Sequence, residues 1–148
     1  MLKKCRNILR NEKGLTLIEL LAVVVILGII AAIAIPSIGN LIDNSKKDAH
    51  ISNAQQVLNG ARLALLDKAD IVKDVDGNTV ILLTDLIAND YIESIDDPDG
   101  GKYSEGTVTV DDGKITGVEL VGSKRTVVST NAADGTITFD REDSISDN

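Results

Sequence analysis

Hydrophobic residues run almost unbroken from Leu15 to Ile35, 21 positions in all, with one carboxylate, Glu19, near the start. As a helix rising roughly 1.5 Å per residue, the run spans about 32 Å, close to the ~30 Å hydrocarbon core of a bilayer. Pro36 closes it, at a point where proline kinks or restarts a helix. The pattern then changes. Ile38, Leu41, Ile42, Ala49, Ala54, Val57, Leu58, Ala61 and Leu65 recur at spacings near three and four, which predicts an amphipathic helix continuous with the first. Lys46, Lys47, Asp48, Asn53, Gln56 and Arg62 fall mostly on its wet face. Gly39 and Gly60 each weaken it by about 1 kcal/mol relative to alanine.

Beyond Asp67 the period shortens. "KDVDGN" is a turn signal, "TDLIANDYI" predicts a short helix with Thr84 or Asp85 as N-cap, and "DDPDGG" (Asp96 to Gly101) is a loop by composition. "TVTVDDGKITGVEL" alternates apolar and polar residues on both sides of Asp112-Gly113, a dipeptide suited to a tight hairpin. "RTVVST" and "TITFD" predict two more strands, and the polar tail "REDSISDN" a frayed end. The expected fold class is α+β: a long N-terminal helix packed on a small antiparallel sheet of about four strands. Four segments follow: a charged leader (1–14), a membrane-length helix (15–36), its amphipathic continuation (37–68) and a small acidic domain (69–148).

Charge orients this arrangement. Lys3, Lys4, Arg6, Arg10 and Lys13 face a single acid, Glu12, before the apolar run, and such positive flanks stay cytoplasmic. Beyond Ile35, ten Lys or Arg stand against 21 Asp or Glu, a net charge of −11 that repels phosphate backbones and argues against nucleic-acid binding. The only cysteine, Cys5, lies in the leader, so the outer domain has no internal disulfide. Its aromatic rings are Tyr91, Tyr103 and Phe139, which predicts a thin aliphatic core of modest stability.

Catalytic chemistry is hard to place. No nucleophile elbow, phosphate-binding glycine loop or paired-histidine motif is present. His50, the sole histidine, has no cysteine or second histidine to make a zinc site and reads as solvated or groove-facing. "DVDGN" (Asp74 to Asn78) has its glycine at the fourth position of a would-be calcium loop instead of the sixth, and no glutamate at the twelfth. "DDPDGG" sets Asp96, Asp97 and Asp99 beside a flexible turn; a solvated acidic loop is the default reading and calcium the alternative. No other cofactor is expected, and the chain is not expected to be an enzyme.

Glu19 is the anomaly. An acid at the centre of a membrane helix costs on the order of 2.5 to 3.5 kcal/mol, less near an interface. A secretory signal peptide has an apolar stretch of only about 7 to 15 residues, and "AAIAIPS" is the one candidate cleavage site here. A plain signal anchor fits the length and leaves the carboxylate unexplained. The basic leader ending in Gly14, "GLTLIEL" with Glu19 four residues after Leu15, the aliphatic run, Gly28 and Pro36 together resemble the class III signal of type IV prepilins and their pseudopilin relatives. The resemblance covers about residues 1 to 65; beyond that only the general plan matches.

The resemblance implies that a prepilin peptidase cuts between Gly14 and Leu15 and methylates the new amine of Leu15. It implies a subunit held in the membrane by a single pass, N-terminus cytoplasmic, until an assembly ATPase and inner platform protein drive it into a helical surface filament of identical chains. Glu19 would pair with the Leu15 amine of a neighbour, and the section between Gly28 and Pro36 would lose helicity in the filament. Major pseudopilins carry calcium in a C-terminal loop, which draws attention to Asp96, Asp97 and Asp99. Two departures are visible: the family usually has phenylalanine where Leu15 stands, and many Gram-negative members have a C-terminal cysteine pair. The expected function is therefore a structural pilin. A pseudopilin of a type II secretion or competence apparatus, or a monomeric membrane-anchored binding domain, are the alternatives.

Overall fold

The computed structural model describes residues 16–67, 70–75, 78–131, 136–141 and 144–148. The chain divides into two compact units between Leu41 and Ile42. Helix α1 (Leu17–Leu66, 50 residues) runs through both.

In the first unit α1 is the whole of the described structure. It continues through Gly28 and Pro36 without interruption, because a proline forfeits one backbone donor while the turns on either side keep theirs. None of its most apolar stretch is buried within the chain, and it is long and apolar enough to cross a membrane.

In the second unit the buried stripe of α1 comprises His50, Ala54, Val57, Leu58, Gly60, Ala61 and Ala64, at spacings of three and four. Burial along the helix begins at His50, so Ile38, Leu41 and Ile42, expected on the apolar face, are more than half exposed.

The sheet is larger than the expected four strands. Six antiparallel strands pair in the order β1-β2-β3-β4-β5-β8: β1 (Val72–Val75), β2 (Asn78–Leu82), β3 (Glu105–Asp111), β4 (Lys114–Val121), β5 (Arg125–Val128) and β8 (Ile145–Asp147). A separate ribbon pairs β6 (Thr130–Asn131) with β7 (Ile137–Thr138). β1 and β2 pair antiparallel from Val72↔Ile81 to Val75↔Asn78, and residues 76–77, the middle of the expected "KDVDGN" turn, lie outside the described residues. "TITFD" gives only the two residues of β7, in the small ribbon. The expected frayed tail instead supplies β8, whose Ile145, Ser146 and Asp147 pair with Val127, Thr126 and Arg125. Backbone hydrogen bonding to β5 compensates for the poor apolar content of that strand.

The β3–β4 hairpin forms where expected. Asp112 and Gly113 both have positive φ, 47° and 73°, as a tight primed turn requires. Helix α2 (Leu83–Ala88) starts earlier than expected: extended Leu82 occupies the N-cap position with no side-chain cap, and neither Thr84 nor Asp85 serves. Gly106, Val108 and Val110 of β3, Val118 and Leu120 of β4 and Val127 of β5 face inward. With Ile81, Leu83 and Leu86 they form one aliphatic core against Ala54, Val57, Leu58, Ala61 and Ala64 of α1. Removing this apolar area from water is the main favourable contribution to folding the unit.

Candidate functional site

The N-terminal end of α1 is built around Glu19. Thr16 donates from its backbone N–H (2.8 Å) and its hydroxyl (2.7 Å) to Glu19 Oε2, and the Glu19 N–H reaches back to Thr16 Oγ1 at 3.3 Å. This is a capping box: Thr16 and Glu19 satisfy donors that the first helical turn leaves without intrahelical partners. A carboxylate in the first turn is also favoured by the helix dipole. The "T-x-x-E" spacing was legible in the sequence and answers part of the Glu19 puzzle within a single chain. Gly14 and Leu15 lie outside the described residues. Gly28 and Pro36 are both exposed within intact helix.

A second polar constellation lies in the second unit. His50, read from sequence as solvated or groove-facing, is fully buried. Its Nδ1 lies 2.8 Å from the Tyr103 hydroxyl, and its Nε2 lies 3.2 Å from Asp99 Oδ2 and 3.5 Å from Asp97 Oδ1. The Asn53 amide donates to the Tyr103 oxygen at 3.0 Å. The Tyr103 hydroxyl and the two aspartates thus engage the two ring nitrogens of His50, Nδ1 and Nε2 respectively. Burial pushes the Tyr103 phenol up to about 12, so it keeps its proton across the physiological range.

The loop aspartates divide by role. Asp96 points outward and pairs with Lys102 at 2.5 Å. Asp97 and Asp99 point inward. Asp97 accepts the backbone N–H of Asp99 on Oδ1 (2.8 Å) and that of Ser123 on Oδ2 (2.5 Å). Asp99 accepts Lys46 Nζ on Oδ1 at 3.1 Å and Arg125 Nη1 on Oδ2 at 2.8 Å. Arg125 also bonds Asp43 and, at 3.1 Å, Asp147.

Burial alone would raise the Asp97 carboxyl, but the Ser123 and Asp99 N–H groups outweigh it and hold it below the usual range. Burial likewise acts upward on Asp99, and Lys46, His50 and Arg125 outweigh it. For Arg125, burial acts downward and the surrounding aspartates, Asp99 first, prevail to raise it.

These contacts test the calcium reading. The group whose possible ligand atoms converge, within 4.8 Å, is His50, Asp97 and Asp99; Asp96 is not part of it. Two cations, Lys46 and Arg125, already bond Asp99, and both Asp97 oxygens accept backbone donors. The three loop carboxylates therefore do not fit a common calcium ion in this arrangement. Asp97 and Asp99 fasten the 96–103 loop and β5 to α1 by paired, hydrogen-bonded charges. One signal for His50 was present in the sequence: it continues the stripe Ala54, Val57, Ala61 and Ala64 by one step of four.

Comparison with known proteins agrees with this architecture. Residues 9–35 match the family model described as the prokaryotic N-terminal methylation motif. Two proteins named fimbrial protein, from Pseudomonas aeruginosa, are 32% identical over 127 residues, covering 80% of this chain and 80% of theirs. A type IV major fimbrial protein FimA from Dichelobacter nodosus is 48% identical over 61 residues, covering 40% of this chain and 38% of its own. No solved structure matches the chain. With the methylation motif at its start, a long N-terminal helix packed on an antiparallel sheet, and fimbrial relatives along four-fifths of its length, this chain belongs to the type IV pilin family.

Proposed function

We propose that the chain is the structural subunit of a type IV pilus-like filament, polymerising through α1 after its leader is removed. The observation that carries this reading is the unburied aliphatic stretch of α1, with one carboxylate held at its tip by Thr16. A prepilin peptidase cuts between Gly14 and Leu15, methylates the Leu15 amine, and leaves a single-pass subunit in the cell membrane. An assembly ATPase and an inner platform protein then move it into the filament.

Thr16 engages Oε2 of Glu19. Oε1 is left to receive the Leu15 amine of a neighbour. At about 4 Å and an effective dielectric near 20 that attraction is roughly 4 kcal/mol, partly offset by desolvation. A subunit docked at the wrong height leaves two charges unpaired in hydrocarbon, so the pair fixes register. In the filament the helix between Gly28 and Pro36 extends, because glycine adds backbone freedom and proline has already removed one donor. The matched relatives bear fimbrial names, which favours a pilus over a pseudopilus or an unpolymerised anchor. Electron microscopy of cells carrying Glu19→Val should show filaments reduced at least tenfold with the subunit retained in the membrane; filaments of normal yield and stacking would contradict the pairing.

A further inference from the structure

Among the described cations of the second unit, Arg62, Lys114 and Lys124 lack an ion-pair partner, and Arg62 and Lys114 share one cleft. Lys46, Lys47, Lys73, Lys102, Arg125 and Arg141 are each paired with a carboxylate of the same chain. Arg62 and Lys114 have no such partner among the described residues, and both line one cleft of about 410 Å³ whose apolar wall is Leu65, Leu66, Ile115 and Ile137. Leu66 is 80% exposed there. A second cleft, of about 610 Å³, lies between α1 and the 87–94 segment, lined by Leu63, Ile87 and Tyr91 and by two exposed acids, Asp90 and Glu93. Neither acid has a side-chain partner among the described residues, and Leu63 is 57% exposed. Successive helical residues point about 100° apart, so Arg62 and Leu63 direct the two clefts to opposite flanks of the exposed ridge of α1.

Each cleft is thus lined by an uncovered leucine and by charges of one sign, and the signs are opposite. Identical chains that associate head to tail bring one flank of a copy against the other flank of the next. In a region with a net charge of −11, most encounters between copies are repulsive. A basic cleft facing an acidic one reverses that, and complementary rims select both partner and register.

We propose that these two flanks form a heterologous interface between successive copies of this chain: Glu93 and Asp90 of one copy pair with Arg62 and Lys114 of the next, and Leu63 packs against Leu66. Asp111 and Asp112 flank Lys114 at its hairpin, which makes Arg62 the principal cation. The inference rests on the filament reading and assigns the outer contact that accompanies the α1 core.

Charge exchange in the full-length chain tests it, with filaments counted by electron microscopy and membrane-held subunit measured alongside. Arg62→Glu and Glu93→Lys should each lower filament yield at least tenfold with subunit abundance unchanged. The chain carrying both, R62E with E93K, should recover at least half the wild-type yield. Wild-type yield from either single variant overturns the interface, as does a double variant that is abundant in the membrane and still bare of filaments. Should a single variant lose abundance, Arg62→Gln with Glu93→Gln replaces it; unchanged yield and unchanged salt sensitivity of those filaments overturns the interface equally. A wild-type chain that makes no filament contradicts the filament reading itself.

Discussion

Two glycines that look equivalent in the sequence separate in the structure. A Cβ built on Gly60 would lie 2.2 Å from Ile92 Cγ2, whereas one on Gly39 meets nothing within 4 Å. Gly60→Ala should therefore destabilise the chain by roughly 1–3 kcal/mol through overpacking, less the gain of up to about 1 kcal/mol in helix propensity. Gly39→Ala should gain that propensity alone. Denaturant unfolding of the detergent-solubilised chain would separate them; equal shifts would mean that the 91–92 segment does not press on α1. Residue-level reading was most dependable where chemistry is local. Asp112-Gly113 marked its turn because two successive positive φ angles are needed there; the Thr16-x-x-Glu19 cap, equally local, was not read. His50 was misjudged because its partners Tyr103 and Asp99 lie 53 and 49 positions away, and burial of a polar side chain is decided by such partners.

At the scale of elements, the loop from Asp96 to Tyr103 is fastened to α1 by the charges on Asp97 and Asp99. Both carboxyls sit below the ordinary range in the folded chain. Their contribution to stability is complete above the unfolded value, about 3.9, and is lost as pH falls through the folded values. The melting temperature should therefore hold between about pH 7 and 5 and fall below about 4. Asp97→Asn should melt lower at neutral pH, since a carboxylate accepting two backbone N–H groups is removed, and should show a shallower acid loss. An unchanged acid profile in that variant would mean that the loop carboxylates do not anchor the element. The long helix and the β3–β4 hairpin were legible because periodicity over many residues averages out local noise. β1, β2 and β8 were not, because they are short, polar at several positions and specified by the neighbour they pair with.

For the whole molecule, the features group into two sets with separate tasks. An aliphatic helix end with a single capped carboxylate is suited to a membrane and then to packing against copies of itself. A small acidic unit, its core aliphatic and its loop held by internal ion pairs, is suited to display in water. Whether cleavage after Gly14 frees an amine for Glu19 to meet is decided by mass spectrometry of the N-terminal peptide of the chain recovered from the cell surface. The recovered chain should begin at Leu15 and carry one methyl group on its amine. Recovery of surface protein still bearing residues 1–14 would contradict it.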